Sequence, residues 1–147
     1  MYTYQYPRPA VTADCVVIGH AADCSRYVLL IRRGNEPYKD CWAFPGGFLN
    51  MDETLEQCAL RELKEETGLT PPGDITELKS FSTVDRDPRG RTITVAFLIE
   101  MPLTEATGGD DAAEAKWFPL NSLPPLAFDH DEILKVAIKK LENESCG

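Results

Sequence analysis

The feature that most constrains this chain is a segment in its first half, residues 47–69, in which charged, glycine and aliphatic residues stand at fixed spacing. The segment reads GFLNMDETLEQCALRELKEETGL and fits the pattern G-x5-E-x7-R-E-U-x-E-E-x-G-U, where U is an aliphatic residue. Four apolar residues recur in it at helical spacing: Leu55, Ala59, Leu60 and Leu63. This period predicts a helix over about residues 54–67, with one apolar stripe that faces a core.

Both ends of the predicted helix carry residues that suit helix ends. Asp52 or Glu53 can place negative charge at the first turn, where the helix dipole favours it. Gly68 follows the last turn, where a left-handed C-terminal cap belongs. Just before the segment, residues 43–47 read AFPGG, which predicts a strand end that runs into a tight turn, because glycine permits such a turn.

Three glutamates of the predicted helix share one face, because Glu62, Glu65 and Glu66 are spaced i, i+3 and i+4. Like charges at this spacing cost about 0.2–0.5 kcal/mol per pair in an isolated helix. A divalent cation would offset this repulsion, and Mg²⁺ takes carboxylate oxygens together with substrate phosphates. Arg61 can pair with one carboxylate and fix its direction. A solvated acidic helix face is the alternative, and the complete spacing favours a metal site.

The complete pattern resembles the signature of the Nudix hydrolases. This resemblance implies hydrolysis of a nucleoside diphosphate linked to another group, with Mg²⁺ as the cofactor and Mn²⁺ as an alternative ion. It implies that Glu62, Glu65 and Glu66 bind the metal. Arg61 is expected to act in catalysis with these glutamates, and the carbonyl of Gly46 is expected to contact the metal. The fold implied is a Nudix-type α/β/α sandwich with a mixed central sheet.

The rest of the chain alternates apolar runs with turn residues in a way that agrees with this fold. Strands are predicted over residues 13–19, 27–32, 42–44, 75–84, 93–101 and 116–120. A loop is predicted over residues 104–113 and a final helix over residues 129–141. The inner face of that helix is expected to consist of Ile133, Leu134, Ala137, Ile138 and Leu141. A length of 147 residues fits one domain, residues 1–147, with a single core.

Five arginines are candidates for substrate contact, since arginine suits bidentate recognition of phosphate. Two of them, Arg32 and Arg33, end a predicted strand, and in the Nudix family an arginine at this place often meets substrate phosphate. The other three, Arg86, Arg89 and Arg91, form a dense basic cluster. A surface charge is the alternative for the first pair, and a hairpin loop paired with its own aspartates is the alternative for the cluster.

Further acids and one histidine are harder to assign from the sequence. The Nudix resemblance implies another acidic metal ligand or the general base in the loop before Trp117, where Asp111 and Glu114 are the candidate metal ligands and Asp110 lies beside them. Glu62 competes with the acids of residues 110–114 for the role of general base. His130 begins the last predicted helix, where a surface position is expected and a role at the helix N-terminus or in lining the substrate site is the alternative. Three aromatic residues can stack an adenine, although core packing is their default: Tyr38, Trp42 and Phe81.

Two shorter segments, residues 84–91 and 127–131, resemble a narrower Nudix group. That group includes ADP-ribose pyrophosphatases and the Nudix domains fused to NMN adenylyltransferases or NAD-related regulators. Many ADP-ribose pyrophosphatases carry a proline where Asp85 stands here, and Pro88 is out of register. The function implied is hydrolysis of ADP-ribose to AMP and ribose 5-phosphate. The alternatives are hydrolysis of oxidised nucleoside triphosphates such as 8-oxo-dGTP, and a non-catalytic ADP-ribose-sensing module.

Composition limits the partners and the compartment that we expect. The net charge of −9 argues against non-specific nucleic-acid binding, so a small nucleotide is the expected partner. No run of 18 apolar residues and no signal core occur in the sequence, so neither a membrane span nor secretion is expected. Five cysteines without a C-x-x-C pair fit reduced thiols in the cytoplasm. Many proteins of the ADP-ribose group are dimers, so a homodimer is an open alternative to a monomer.

Overall fold

The computed structural model describes residues 3–105 and 112–145. Over these ranges the elements are β1 (Ala10–His20), β2 (Arg26–Arg33), β3 (Trp42–Ala43), β4 (Gly46–Phe48), α1 (Leu55–Thr67), β5 (Thr76–Phe81), β6 (Thr92–Pro102), β7 (Ala112–Pro119) and α2 (His130–Ser145). Every strand and helix predicted from the sequence is present in the predicted order. The short strand β4 is an addition, at the place where only a tight turn was expected.

The strands form one mixed sheet in which β1 is the central strand. The order along the sheet is β3-β2-β1-β6-β5, with β4 also paired to β1 and β7 also paired to β2. The β1–β6 pair is parallel, and the other ladders are antiparallel. Because β1 has sheet neighbours on both sides and a helix over each face, its residues form a nearly continuous buried run, as expected of such strands.

The two helices cover opposite faces of the sheet, which confirms the α/β/α sandwich. Alternate residues of β1 point to opposite sides, so Cys15 and Val17 pack with Leu63 of α1, whereas Val16 and Ile18 belong to the core beneath α2. The inner face of α2 is the predicted one: Ile133, Leu134, Ala137 and Leu141 are buried, and Ile138 packs against them. The site described below lies between these layers, where β1, β4 and α1 meet.

The ends of α1 agree with the prediction at one side only. Gly68 has a φ of 77° and donates its N–H to the Lys64 carbonyl, so the left-handed C-terminal cap is confirmed. At the other end the cap is Thr54, whose side chain accepts from the Gln57 N–H in a capping box. The expectation that Asp52 or Glu53 serves the first turn is wrong, because Thr54 takes the cap position and Glu53 turns back to Arg61.

Three predicted boundaries also differ from the structure. The fifth strand stops at Phe81 rather than at residue 84, and the largely exposed Val84 belongs to the loop that follows. The seventh strand already begins at Ala112, because β2 offers a long antiparallel partner, so Glu114 lies in a strand opposite Arg32 and not in a loop. The last helix continues to Ser145.

Two general expectations concern the described part of the chain. Cys15, Cys24, Cys41 and Cys58 are all free thiols, while Cys146 lies outside the described residues. Neither helix, over the residues that the structure describes, has the length and apolar composition required to cross a membrane.

Candidate functional site

The three glutamates of α1 lie on one face, as predicted, but in different environments. Glu66 is only 7% exposed, and its Oε1 accepts a hydrogen bond from the Gly46 N–H at 3.1 Å. The side chain of Glu62 is partly buried, and that of Glu65 is largely open to solvent. The face therefore extends from the buried carboxylate of Glu66, beside the start of β4, to the exposed carboxylate of Glu65 at the surface.

Burial is the main reason why the pKa of Glu66 is raised well above its usual range. The Gly46 N–H opposes this shift, whereas the carboxylates of Glu62 and Asp14 add to it by repulsion. Negative charge is thus crowded around a buried oxygen, and a divalent cation would relieve it. Among residues 3–105 and 112–145 no group of three acidic, histidine or cysteine side chains forms a complete metal site. The carboxylates around Glu66 nevertheless fit Mg²⁺, because this ion commonly uses one or two carboxylates and completes its shell with water and substrate phosphates.

Arg61 holds the acidic face in place by bonds to three carboxylates. It donates two hydrogen bonds to Glu53, at 2.7 and 2.9 Å, one to Glu62 at 2.7 Å and one to Glu65 at 3.2 Å. A further bond reaches the Phe48 carbonyl at 3.1 Å. The bonds from Arg61, followed by the Asn50 N–H, lower the pKa of Glu53 to about 2. The expected pairing of Arg61 with a carboxylate is therefore observed, and its contacts are those of a residue that orients others.

Two glycines allow the sheet edge to approach these carboxylates. Gly46 and Gly47 lie in β4, opposite Asp14 and Ala13 of β1. A Cβ atom on Gly47 would lie 2.5 Å from the Glu62 Cδ. A Cβ atom on Gly46 would overlap the Ala13 carbonyl oxygen and the Asp14 carboxylate. Both glycines are required by close contact, because any side chain would push β4 away from α1 or from β1.

Two neighbouring cavities adjoin the acidic face. The glutamate cavity is lined by Glu62, Glu65, Glu66, Gly46, Arg33 and Arg89, among others. The arginine cavity is lined by Arg33, Arg86, Arg89, Asp14, Glu66, Gly46 and His130, among others. Arg33, Arg89, Gly46 and Glu66 belong to both, so the two cavities share a wall in which a buried carboxylate faces guanidinium groups.

Two of the candidate arginines face this shared wall. Arg33 donates from Nε to the Pro37 carbonyl at 2.7 Å and lies over the Phe128 ring at 5.0 Å. Arg89 pairs with Asp87 at 2.8 Å and lies over the Phe48 and Phe128 rings. Burial and then the charge of Arg89 lower the pKa of Arg33. Two cations that repel each other across one cavity form a suitable site for an anion.

The other three candidate arginines have structural partners. Arg86 makes a bidentate pair with Asp129, at 2.9 and 2.7 Å, and lines the arginine cavity from a buried position. Arg91 donates to the Ser82 and Thr83 carbonyls. Arg32 lies 3.6 Å from Glu114. Arg32, Arg91 and Glu114 line neither cavity, so their predicted contacts with substrate or metal are not supported by their positions.

The two remaining loop acids, Asp110 and Asp111, lie outside the described residues, and the prediction of Asp111 as a metal ligand is not tested. The alternative interpretation of the arginine loop, pairing with its own aspartates, is observed for Arg89 with Asp87. That pair does not remove Arg89 from the site, because its side chain still lines both cavities.

The burial of two residues of the site is not expected from the sequence, although lining of the substrate site is the alternative given for His130. His130 was expected at the surface, and this is wrong: it is 4% exposed, and its Nδ1 accepts from the Phe44 N–H at 3.1 Å. Asp14 is also buried and accepts from the Thr94 hydroxyl at 2.6 Å, with the His130 Nε2 at 3.7 Å. The sequence held one signal for Asp14, since a lone acid inside an apolar strand requires buried partners.

The aromatic candidates for base stacking divide between core and cavity. Trp42 packs edge-on against Phe118 in the core beneath α2. Tyr38 and Phe81 line a further cavity together with Phe128, beside Arg86. Tyr38 and Phe128 both have positive φ, 60° and 52°, and their ring centroids are 4.7 Å apart. Bulky residues rarely adopt this backbone conformation, and such strain often marks functional sites.

Comparisons with known proteins agree with this site. The family model described as NUDIX domain matches residues 8–137. An ADP-ribose pyrophosphatase of Methanocaldococcus jannaschii is 45% identical over 130 residues, which cover 88% of this chain and 73% of that protein.

Two solved structures extend the likeness to the fold. The NUDIX domain of Shewanella oneidensis NrtR, complexed with ADP ribose, is 34% identical with a TM-score of 0.85, over 92% of this chain and 90% of that one. A bifunctional NMN adenylyltransferase/ADP ribose pyrophosphatase of Francisella tularensis, complexed with AMP and Mn ion, is 31% identical with a TM-score of 0.79. The match covers 93% of this chain and only 43% of that protein. The family model matches residues 8–137, which are most of this chain, and the acidic helix face is in place. The chain therefore belongs to the Nudix family.

Proposed function

We propose that this chain is a Nudix pyrophosphohydrolase that cleaves ADP-ribose to AMP and ribose 5-phosphate with a divalent cation. The observation that carries the proposal is the wall shared by the two cavities, where Glu66 faces Arg33 and Arg89. A pyrophosphate bridged to a cation matches such a wall, because its oxygens can meet the guanidinium groups while the cation meets the carboxylates. Mg²⁺ is the expected ion and Mn²⁺ the alternative.

The residues that would hold the cation are Glu62, Glu65 and Glu66, with the carbonyl of Gly46. When bound, a divalent cation stabilises charge on the transferring phosphoryl group and acidifies the attacking water. Arg61 keeps Glu62 and Glu65 in fixed directions through its hydrogen bonds. This fixed direction matters because a small misplacement of reacting groups costs a large part of the rate.

The general base proposed here is Glu62. It lines the glutamate cavity, whereas the competing Glu114 lies beside Arg32 and lines neither cavity. A carboxylate within reach of the attacking water can take its proton as the phosphorus–oxygen bond forms. Arg33 and Arg89 would hold the phosphate oxygens and orient the bond that breaks.

The remaining parts of ADP-ribose need sites beyond the pyrophosphate. We place the adenine in the cavity of Tyr38, Phe81 and Phe128, because three aromatic rings offer stacking surfaces beside Arg86. ADP-ribose is favoured as substrate because one relative is named for its hydrolysis and one similar domain was solved with it. Free thiols in the described part of the chain suit the cytoplasm, where this nucleotide chemistry is expected.

A second candidate function is the binding of ADP-ribose without hydrolysis. The likeness to the NrtR domain favours it, since that domain was solved with the intact ligand. Against it stands the complete set of Glu62, Glu65 and Glu66, which a pure sensor has no need to keep. Turnover, and not binding, is therefore the property that separates the two functions.

The test is an assay of the purified protein with Mg²⁺ and ADP-ribose, with the products resolved by chromatography. Saturable, EDTA-sensitive release of AMP and ribose 5-phosphate is the expected result. Binding of ADP-ribose without products would support the sensor. A parallel assay with 8-oxo-dGTP covers the other alternative, and cleavage of that compound alone would refute the assignment of ADP-ribose.

A further inference from the structure

We propose that His130 is a positioning residue, which acts through its Nδ1 atom to hold the Phe44–Gly46 turn against Glu66. This inference rests on the proposed function for its activity measurements. It concerns a residue outside the spacing pattern of residues 47–69, at the start of a helix on the opposite face of the sheet.

The contact that carries the inference joins two distant parts of the chain. The Phe44 N–H donates to Nδ1 of His130 at 3.1 Å, across 86 residues of sequence. The Phe44 ring also stacks on the imidazole, with a centroid distance of 5.0 Å and an interplanar angle of 22°. Phe44 itself is 2% exposed, so its N–H has no access to water in place of this acceptor.

The imidazole is neutral, with its proton on the other nitrogen. A nitrogen that accepts from a backbone N–H carries no proton, so the proton must lie on Nε2, which points toward Asp14 at 3.7 Å. Burial also lowers the pKa of His130, which favours the neutral form. His130 therefore does not serve as the general base, because its free lone pair is used by Phe44.

The turn that His130 holds leads directly to the acidic face. Three contacts anchor the turn: the Phe44 N–H donates to His130, the Pro45 carbonyl accepts from the Cys15 N–H at 2.8 Å, and the Gly46 N–H donates to Glu66 at 3.1 Å. The contacts of Phe44 and Pro45 fix the position of their backbone relative to β1. These anchors, together with the pairing of β4 to β1, set the position of the Gly46 peptide, which contacts Glu66 and is proposed to face the cation.

His130 is itself fixed, which makes it an effective anchor. The backbone N–H of His130 donates to the Ala127 carbonyl at 3.1 Å. The preceding Asp129 is held by its bidentate pair with Arg86. The imidazole contacts both the Phe44 ring and the Phe128 ring. These contacts hold the start of α2 in place, so the Nδ1 atom of His130 is a fixed acceptor for the Phe44 N–H.

Three variants separate the roles of the two ring nitrogens. His130→Asn places an amide oxygen near the position of Nδ1 and keeps the acceptor for Phe44. His130→Gln places its amide near the position of Nε2, and His130→Phe keeps the ring but neither nitrogen. We expect the Asn variant to keep kcat within about threefold, and the other two to lose about 10- to 100-fold and to need more Mg²⁺ for half-maximal rate.

A control and a metal-free measurement make the test independent of stability and of turnover. Ile138→Ala, on the partly buried side of the same helix, should lower the melting temperature without changing the Mg²⁺ dependence. Amide hydrogen exchange in protein without metal should be slow at Phe44 and Gly46 in the wild type and the Asn variant, and faster in the Gln and Phe variants.

Each outcome decides between the roles. Wild-type exchange rates and Mg²⁺ dependence in His130→Phe would overturn the inference, as would retention of both by the Gln variant with loss in the Asn variant. Loss of both in all three variants would also overturn it, because the acceptor at Nδ1 would then not suffice. Absence of ADP-ribose turnover in the wild type would refute the proposed function, while the exchange rates would still test His130.

Discussion

The acidic face of α1 and the start of α2 both bring charge into the interior beside the same cavity, but by different means. On α1 the contacts are local: Arg61 reaches Glu62 and Glu65, which lie one and four residues away. At the start of α2 the contacts are distant, since Arg86 meets Asp129 across 43 residues and His130 meets Phe44 across 86. The acidic face of α1 therefore follows from residue spacing along one helix, whereas the contacts at the start of α2 form only when the sheet is assembled.

The two regions also differ in charge balance. Asp129 has its counter-ion, and although burial opposes this, the bonds and charge of Arg86 lower the pKa of the aspartate. Glu66 makes no ion pair with any residue that the structure describes, and burial raises its pKa. The balanced pair therefore supports the fold, whereas the buried carboxylate of Glu66 ionises only at a cost that a bound cation can offset.

The largest effect is expected from Glu66→Gln, which removes the unbalanced charge. Activity should fall by about a thousandfold or more, because both cation binding and charge stabilisation are weakened. The fold should keep or gain stability without metal, since the amide oxygen still accepts from Gly46 and no buried charge remains. The measurements are kcat with ADP-ribose and thermal unfolding in EDTA.

The exposed Glu56→Gln, on the outer side of the same helix, is the matched control. It carries the same change of charge, so it should leave both quantities near their wild-type values. A Glu66→Gln enzyme with near-normal turnover would remove the acidic face from the mechanism.

The next effect should fall on stability. Asp129→Ala leaves Arg86 buried without its partner, which costs about 3–5 kcal/mol of unfolding free energy in comparable buried pairs. Chemical denaturation measures this loss. The double variant Arg86→Met with Asp129→Leu should recover most of it, because no unpaired charge remains. If the single and double variants were equally destabilised, the pair would not be the balanced element described here.

A smaller effect on activity should follow from Arg33→Ala. Loss of one charge-assisted contact with phosphate, worth about 1.5–3 kcal/mol, should lower kcat/KM for ADP-ribose by about 10- to 100-fold. Arg32→Ala is the matched control, since the neighbouring side chain lines neither cavity. Equal losses in the two variants would show that net charge, and not position at the shared wall, accounts for the effect.

The parts of the fold and of the site that depend on local contacts could be predicted from the sequence, and those that depend on distant contacts could not. The helix, its Gly68 cap and the shared face of Glu62, Glu65 and Glu66 depend on spacings of a few residues, so the pattern was sufficient. The partners of Arg32 and Glu114 depend on how β2 and β7 pair, and a strand boundary placed too late put Glu114 in a loop. Which residues face each other across β2 and β7 depends on how these distant strands pair in the sheet, and the spacing of neighbouring residues does not reveal it.

The buried positions of Asp14 and His130 were missed for a related reason. Their burial depends on Thr94 and Phe44, which are brought to them by other strands. A histidine at the start of a helix has no local property that distinguishes an exposed ring from one packed against two phenylalanines.

The smallest effect concerns pH. Because the pKa of Glu66 is raised in the folded protein, folding without metal favours its protonated form. Stability without metal should therefore decrease as pH rises above about 4.3, the unfolded value, toward the raised folded value. Cation binding needs the deprotonated carboxylate, so the Mg²⁺ affinity should rise with pH, by up to about tenfold per unit. Thermal shifts with Mg²⁺ between about pH 6 and pH 8 measure this.

In Glu66→Gln the same dependence should be absent or much weaker, since the titrating group is gone. A pH dependence of Mg²⁺ affinity that persists unchanged in this variant would assign the proton to another group of the site.

The central claim is that the glutamates and the arginines bind one metal–pyrophosphate unit across the shared wall. The most direct measurement is calorimetric binding of an ADP-ribose analogue with a methylene group between its phosphates, with and without Mg²⁺. Mg²⁺ should tighten binding by about tenfold or more in the wild type, and this enhancement should be lost in Glu66→Gln. Equal affinity with and without Mg²⁺ in the wild type, or an enhancement that survives in Glu66→Gln, would contradict the claim.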